Sequence, residues 1–127
     1  MPRAAQPAWY ERKVNDGVDL KQPGLYEWRI ESVGVYIGQY TRGRRPNREY
    51  ALNVARLAAC QPYRKAKPDG FRHIHRALAD AVNRGLPITR TLLENQTSKE
   101  LRNAREQVLI AERRIEATKG GLPVLND

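Results

Sequence analysis

Along the chain two neighbouring stretches, Leu25 to Ile30 and Val33 to Tyr40, hold few charges and are rich in β-formers. Glu31-Ser32 between them suits a tight connection, so the pattern predicts a hairpin. A basic, glycine-containing loop (Thr41 to Arg45) follows. Tyr50, Val54, Leu57 and Ala58 recur at helical spacing, and Pro46 fits the first turn, where its missing N–H costs little. That helix ends near Cys60-Gln61-Pro62, and Tyr63 to Gly70 forms a second basic loop. Phe71, Ile74, Leu78 and Val82 make the stripe of a helix over Phe71 to Asn83, stopped by Gly85. Ile88 to Leu93 alternates as a third strand. Ser98 caps the longest helix, Lys99 to Ala117, whose main apolar stripe is Leu101, Ala104, Val108, Ala111 and Ile115. Gly120-Gly121 ends it, and the tail must pack back if Leu122, Val124 and Leu125 are to be buried.

The order strand, strand, helix, helix, strand, helix predicts an α+β domain: a small three-stranded antiparallel sheet flanked by helices. It occupies residues 23–127. Residues 1–22 read as an irregular N-terminal arm with prolines and the turn-like Asn15-Asp16-Gly17, a short strand near Val18 to Leu20, and Trp9 and Tyr10 as pins. A chain of 127 residues has room for one core.

Charge sharpens the picture. The net charge is +9, from 23 Lys+Arg against 14 Asp+Glu, and Arg outnumbers Lys. Arg presents a planar fork that suits phosphate oxygens, so the expected partner is DNA, with RNA as a further possibility. No apolar run reaches the length of a spanning helix, which argues against a membrane partner. Cys60 is the only cysteine, so no intrachain disulfide can form. A cytoplasmic protein, of bacterial or phage origin, is the expectation.

Two tripeptides carry the chemistry: Gly24-Leu25-Tyr26 and Tyr36-Ile37-Gly38. Side chains alternate across a strand, so a paired hairpin can bring Tyr26 and Tyr36 to one face. Gly24 and Gly38 remove side chains where a backbone or ligand comes close. In order and spacing the pair resembles the GIY-YIG nuclease family, with Leu25 where the family usually has Ile. The resemblance covers about residues 20–127 and implies a metal-dependent endonuclease that hydrolyses DNA phosphodiester bonds. It implies Tyr26 as general base and Tyr36 as the group that orients the nucleophile. A tyrosine has a pKa near ~10, so a base role needs help from a metal, Arg or Lys. The resemblance also implies an Arg in the first turns of the following helix, for which Arg48 and Arg45 compete. The family's His or Tyr one turn later falls on Leu52, so Tyr50 or His75 is the alternative supplier. The metal-binding Glu matches Glu106, with Leu109 and Ile110 after it. Glu106 lies off the main apolar stripe, whereas Glu112 lies within it, so Glu112 is the alternative ligand for Mg²⁺ or Mn²⁺. Asn126 matches the family's terminal Leu-Asn, and its amide can hold a tyrosine, a Glu or a backbone group.

His73 and His75 point in different directions on a helix, and no third ligand accompanies them, which argues against zinc. His75 is instead a candidate for proton transfer or phosphate binding. Arg42, Arg44, Tyr63, Arg64, Lys65, Lys67 and Arg72 read as a nucleic-acid-binding rim, with Tyr63 able to stack on a base. The competing function is a catalytically inactive nucleic-acid-binding module on the same scaffold, or a basic RNA-binding protein. No second domain is evident to read a target, so a homodimer or a partner protein is a possible source of specificity.

Overall fold

A computed structural model of the chain describes residues 9–41, 45–63 and 70–126; the side chains of residues 45–49 lie outside that description. The elements follow the order β1 (Glu11–Val14), β2 (Gly24–Ile30), β3 (Gly34–Tyr40), α1 (Arg45–Ala58), α2 (His73–Arg84), β4 (Ile88–Asn95) and α3 (Lys99–Thr118). The sheet has four strands in the order β1-β4-β2-β3. Its three antiparallel members are those expected, with β2 paired to both β3 and β4. The fourth corrects the expectation: β1 joins β4 in parallel, so the sheet is mixed, and its strand is Glu11–Val14 rather than Val18 to Leu20. All four β1 side chains are exposed, so its backbone ladder and the adjoining aromatics hold it in place. Trp9 stacks on Trp28 at 5.4 Å between ring centroids, and Tyr10 meets the same ring edge-on at 4.9 Å.

The β2–β3 turn is tight: Val33 N–H donates to the Ile30 carbonyl at 3.0 Å, and Ser32 takes φ of 64°. Alternation then sorts the sheet into two faces. Tyr26, Trp28, Ile30, Tyr40, Ile88 and Leu92 share one core with Tyr50 and Val54 of α1 and Ile74, Leu78 and Ala81 of α2. Leu25 and Ile37 face the other way, onto Leu109 and Ile110 of α3. In α2 the stripe differs from the expected one. His75 and Ala81 are buried while Val82 is exposed, and Gly85 ends the helix in the left-handed region at φ 69°.

α3 overturns its expected orientation. Leu101, Ala104, Val108, Ala111 and Ile115 all face solvent, and the buried residues are Arg102, Leu109 and Ile110. Electrostatics and capping turn the helix. Arg113 Nε donates to the buried Glu27 carboxylate of β2 at 2.5 Å. Arg105 makes two bonds to Glu94 of β4, at 2.7 and 3.0 Å. Arg102 Nη1 donates to the carbonyls of Gln96 and Thr97 just ahead of the helix. Ser98 accepts from Leu101 N–H as the expected cap.

The tail docks on the free edge of β3. Val35 N–H donates to the Pro123 carbonyl at 2.9 Å, and Leu125 N–H returns to the Val35 carbonyl at 2.7 Å. The Leu125 side chain fills the space that a Cβ at Gly34 would occupy. No helix among the described residues is long and apolar enough to cross a membrane.

Candidate functional site around strand β3

The hairpin register pairs Tyr26 with Gly38, Gly24 with Tyr40, and Trp28 with Tyr36. Tyr26 and Tyr36 therefore share a face, one diagonal step apart. Each tripeptide glycine makes room for the tyrosine opposite it. A Cβ at Gly38 would collide with the phenol of Tyr26, and one at Gly24 would meet Tyr40 Oη and the Glu94 carbonyl. The glycines are thus required by the tyrosines, which ties the two tripeptides into one packing unit.

Tyr26 is 5% exposed, and its phenol lies 2.5 Å from Tyr50 Oη of α1 in a buried hydrogen bond. Tyr50 meets His75 edge-on at 5.4 Å between centroids. His75 is fully buried, and its Nδ1 accepts the Arg72 N–H at 3.1 Å. The imidazole proton therefore sits on Nε2. Asn53 Nδ2 lies 3.4 Å from that nitrogen, while Asn53 Oδ1 is buried with no partner among the described residues. Turning the amide over lets Oδ1 accept the Nε2 proton. Burial first, and the Arg72 charge second, lower the His75 pKa to about 4, so the ring is neutral at neutral pH. Tyr40 is also buried; burial raises its pKa, against the pull of Arg90.

Arg90 of β4 is a residue that the sequence reading missed. It is 3% exposed, faces Arg12 across the β1–β4 ladder, and lies 5.9 Å from the Tyr10 ring centroid. Its Nε and Nη1 are buried with no hydrogen-bond partner among the described residues. Burial, and to a lesser degree the Arg12 charge, lower its pKa, while Tyr10, Tyr40 and Tyr26 oppose that shift. Alternation held the signal: Ile88, Arg90 and Leu92 fall on one face of β4, so a cation between two core residues was readable.

Glu106 sits on the opposite face. Its Oε2 accepts from Gln39 Nε2 at 2.8 Å, and the same amide donates to Asn103 at 2.8 Å. Glu106 is half-buried and turned toward the sheet, off the apolar stripe as expected. Glu112 is exposed, so its expected inward orientation is corrected: the stripe that contains it is the outer face of α3. Among the described residues no group of three or more His, Cys, Asp or Glu gathers to hold a metal. Asn126 completes the edge. Its Oδ1 accepts the Ile37 N–H at 2.9 Å, and its Nδ2 donates to the Ile37 carbonyl at 2.8 Å. The amide thus acts as one more rung of the sheet.

Strand β3 gathers the candidates residue by residue. Tyr36 shares the tyrosine face, Ile37 is held by Asn126, Gly38 seats Tyr26, and Gln39 holds Glu106. The sheet separates Tyr26 from Glu106. Tyr63 packs on Phe71 at 5.4 Å between centroids, its carbonyl accepts from Arg56, and Arg72 is exposed at the start of α2. The side chains of Arg45 and Arg48, in the first turn of α1, lie outside the described residues, as do Arg42, Arg44, Arg64, Lys65 and Lys67. Compared with known proteins, the chain matches no family model, no curated protein and no solved structure.

Proposed function

We propose that the chain is a metal-dependent endonuclease of the GIY-YIG type, hydrolysing DNA phosphodiester bonds. One observation supports this reading above the others: beside Tyr36, three consecutive β3 residues, Ile37, Gly38 and Gln39, engage Asn126, Tyr26 and Glu106 in turn.

The residues present suit a divalent metal of the Mg²⁺ class. Glu106 offers one carboxylate oxygen held by Gln39 and a second with no partner among the described residues, and Mg²⁺ is often bound by one carboxylate plus waters and phosphate. When bound, such an ion supplies positive charge at the phosphate and leaving oxygens. The chain's own groups do the rest. Tyr26 Oη takes the proton of the attacking water, with the Tyr50 hydroxyl sharing its hydrogen bond. Tyr36, less buried, orients that water. Arg90 gives the tyrosine face a fixed positive charge, and Arg48 or Arg45 neutralises the phosphate. His75 stays neutral and fixes Asn53 on α1, so it is a positioning residue. Asn126 fixes the edge of the β3 backbone.

Incubation of supercoiled plasmid with the protein and Mg²⁺ or Mn²⁺ tests the reading. Nicked product is expected, with Tyr26→Phe and Glu106→Gln each slowing it by about 100-fold or more. Nicking that survives both substitutions rejects this site. Salt-sensitive DNA binding with no metal-dependent product instead identifies a catalytically inactive binding module.

A further inference from the structure

The outer face of α3 carries apolar or small residues at alternating steps of three and four: Leu101, Ala104, Val108, Ala111 and Ile115, with Thr118 next. This is the spacing of a coiled-coil seam, with large residues at one core position and small ones at the other. Leu101 is 55% exposed, Val108 44% and Ile115 56%. The inward face, with Arg102, Glu106, Leu109, Ile110 and Arg113, lies on the opposite side of the same helix. No described element covers the seam.

We propose that this seam pairs with α3 of a second copy of the chain, in antiparallel orientation. Size alternation and charge both select that arrangement. With Val108 set against the partner's Ala111, the layers become Leu101 on Thr118, Ala104 on Ile115 and Val108 on Ala111, each repeated by the two-fold axis. Every layer joins a large residue to a small one, which keeps the layers even in width. The flanking positions then place Arg105 opposite the partner's Glu112 twice, and Gln107 opposite the partner's Arg114 twice. No like charges face each other. Arg105 is already oriented by Glu94, and Glu112 is exposed. A parallel pair fares worse. It stacks Ala on Ala and Leu on Leu, and it sets Arg114 against the partner's Lys119. Sliding the antiparallel pair by one layer brings Arg105 onto the partner's Arg105.

Twenty residues give a helix of about 30 Å, so the interface is a small one and its dissociation constant is expected in the micromolar range. The proposal stands independently of the nuclease reading. The tyrosine face lies across the sheet from α3, so pairing leaves it turned away from the axis.

Sedimentation velocity on the whole protein, from about 1 to 200 μM, reads the dimer directly. A concentration-dependent dimer is expected. Val108→Glu should abolish it with the helical circular dichroism unchanged, because the position is exposed. Glu112→Arg should weaken it at least tenfold by facing the partner's Arg105. Gln107→Glu should tighten it, since that residue faces the partner's Arg114; in the parallel arrangement it would face Glu112 and weaken the dimer. A wild type that stays monomeric at the highest concentration, or a dimer that survives Val108→Glu, overturns the proposal. Weakening by Gln107→Glu overturns the antiparallel orientation.

Discussion

The two faces of the sheet are held by different physics. The face under α1 and α2 is aromatic and aliphatic, with Trp28, Leu78 and His75 fully buried and the Tyr26–Tyr50 hydrogen bond inside it. The face under α3 has a small apolar patch of Leu25, Ile37, Leu109 and Ile110, flanked by Arg113–Glu27 and Arg105–Glu94. Apolar packing is tolerant of direction but scales with area; ion pairs contribute less area but fix which side of a helix turns inward. The first face therefore supplies most of the stability, and the second supplies the orientation of Glu106.

Truncations separate the two. Leu78→Ala, at a fully buried position in the larger core, should cost about 4 kcal/mol, and Leu109→Ala in the smaller patch about 2 kcal/mol. Urea unfolding of both variants measures the difference, and equal costs would remove the distinction.

Next comes the buried pair. Glu27→Ala leaves the Arg113 guanidinium without its main partner and should cost about 3 kcal/mol. The double variant Glu27→Leu with Arg113→Leu should recover most of that loss, because two apolar side chains need no pairing. If the double variant is as unstable as the single one, the pair is not what fixes α3.

The aromatic face has its own pH signature. His75 titrates at about 4 in the fold against an ordinary 6.5, so protonation favours the unfolded chain. Stability from this group is complete above about pH 6.5 and is lost as pH falls toward 4, by up to about 3 kcal/mol. Chemical denaturation at pH 7 and pH 4.5 should show the fall, and His75→Gln should flatten it. Glu94 acts in the same direction at lower pH. Its hydrogen bond from Arg105 lowers its pKa against the opposing effect of burial.

Much of the first face was legible in the sequence, and much of the second was not. The hairpin, the Gly85 stop, the Ser98 cap and the docking tail follow from β-forming runs and end signals, which are local. β1 was misplaced because an exposed edge strand, Glu11–Val14, has no apolar rhythm, and its partner β4 lies far along the chain. α3 was turned the wrong way for a definite reason. Its inner face is built from Arg102, Glu106 and Arg113, residues that a hydrophobic pattern counts as surface, and its outer face holds the better heptad. The same gap hid Arg90 and Asn53, whose burial depends on tertiary partners. Within the candidate site, the shared face of Tyr26 and Tyr36 follows from strand period and register, whereas the contact between Gln39 and Glu106 needed the third dimension.

That contact sets Glu106 across β3 from Tyr36, so the proposal that both serve one reaction is the one to test. The most direct measurement is a double-mutant cycle on Mg²⁺-dependent plasmid nicking with Tyr36→Phe, Glu106→Gln and the pair. If both residues act in one step, the double variant should be about as slow as the slower single variant. Losses that multiply would show two independent contributions and contradict a single site organised by β3.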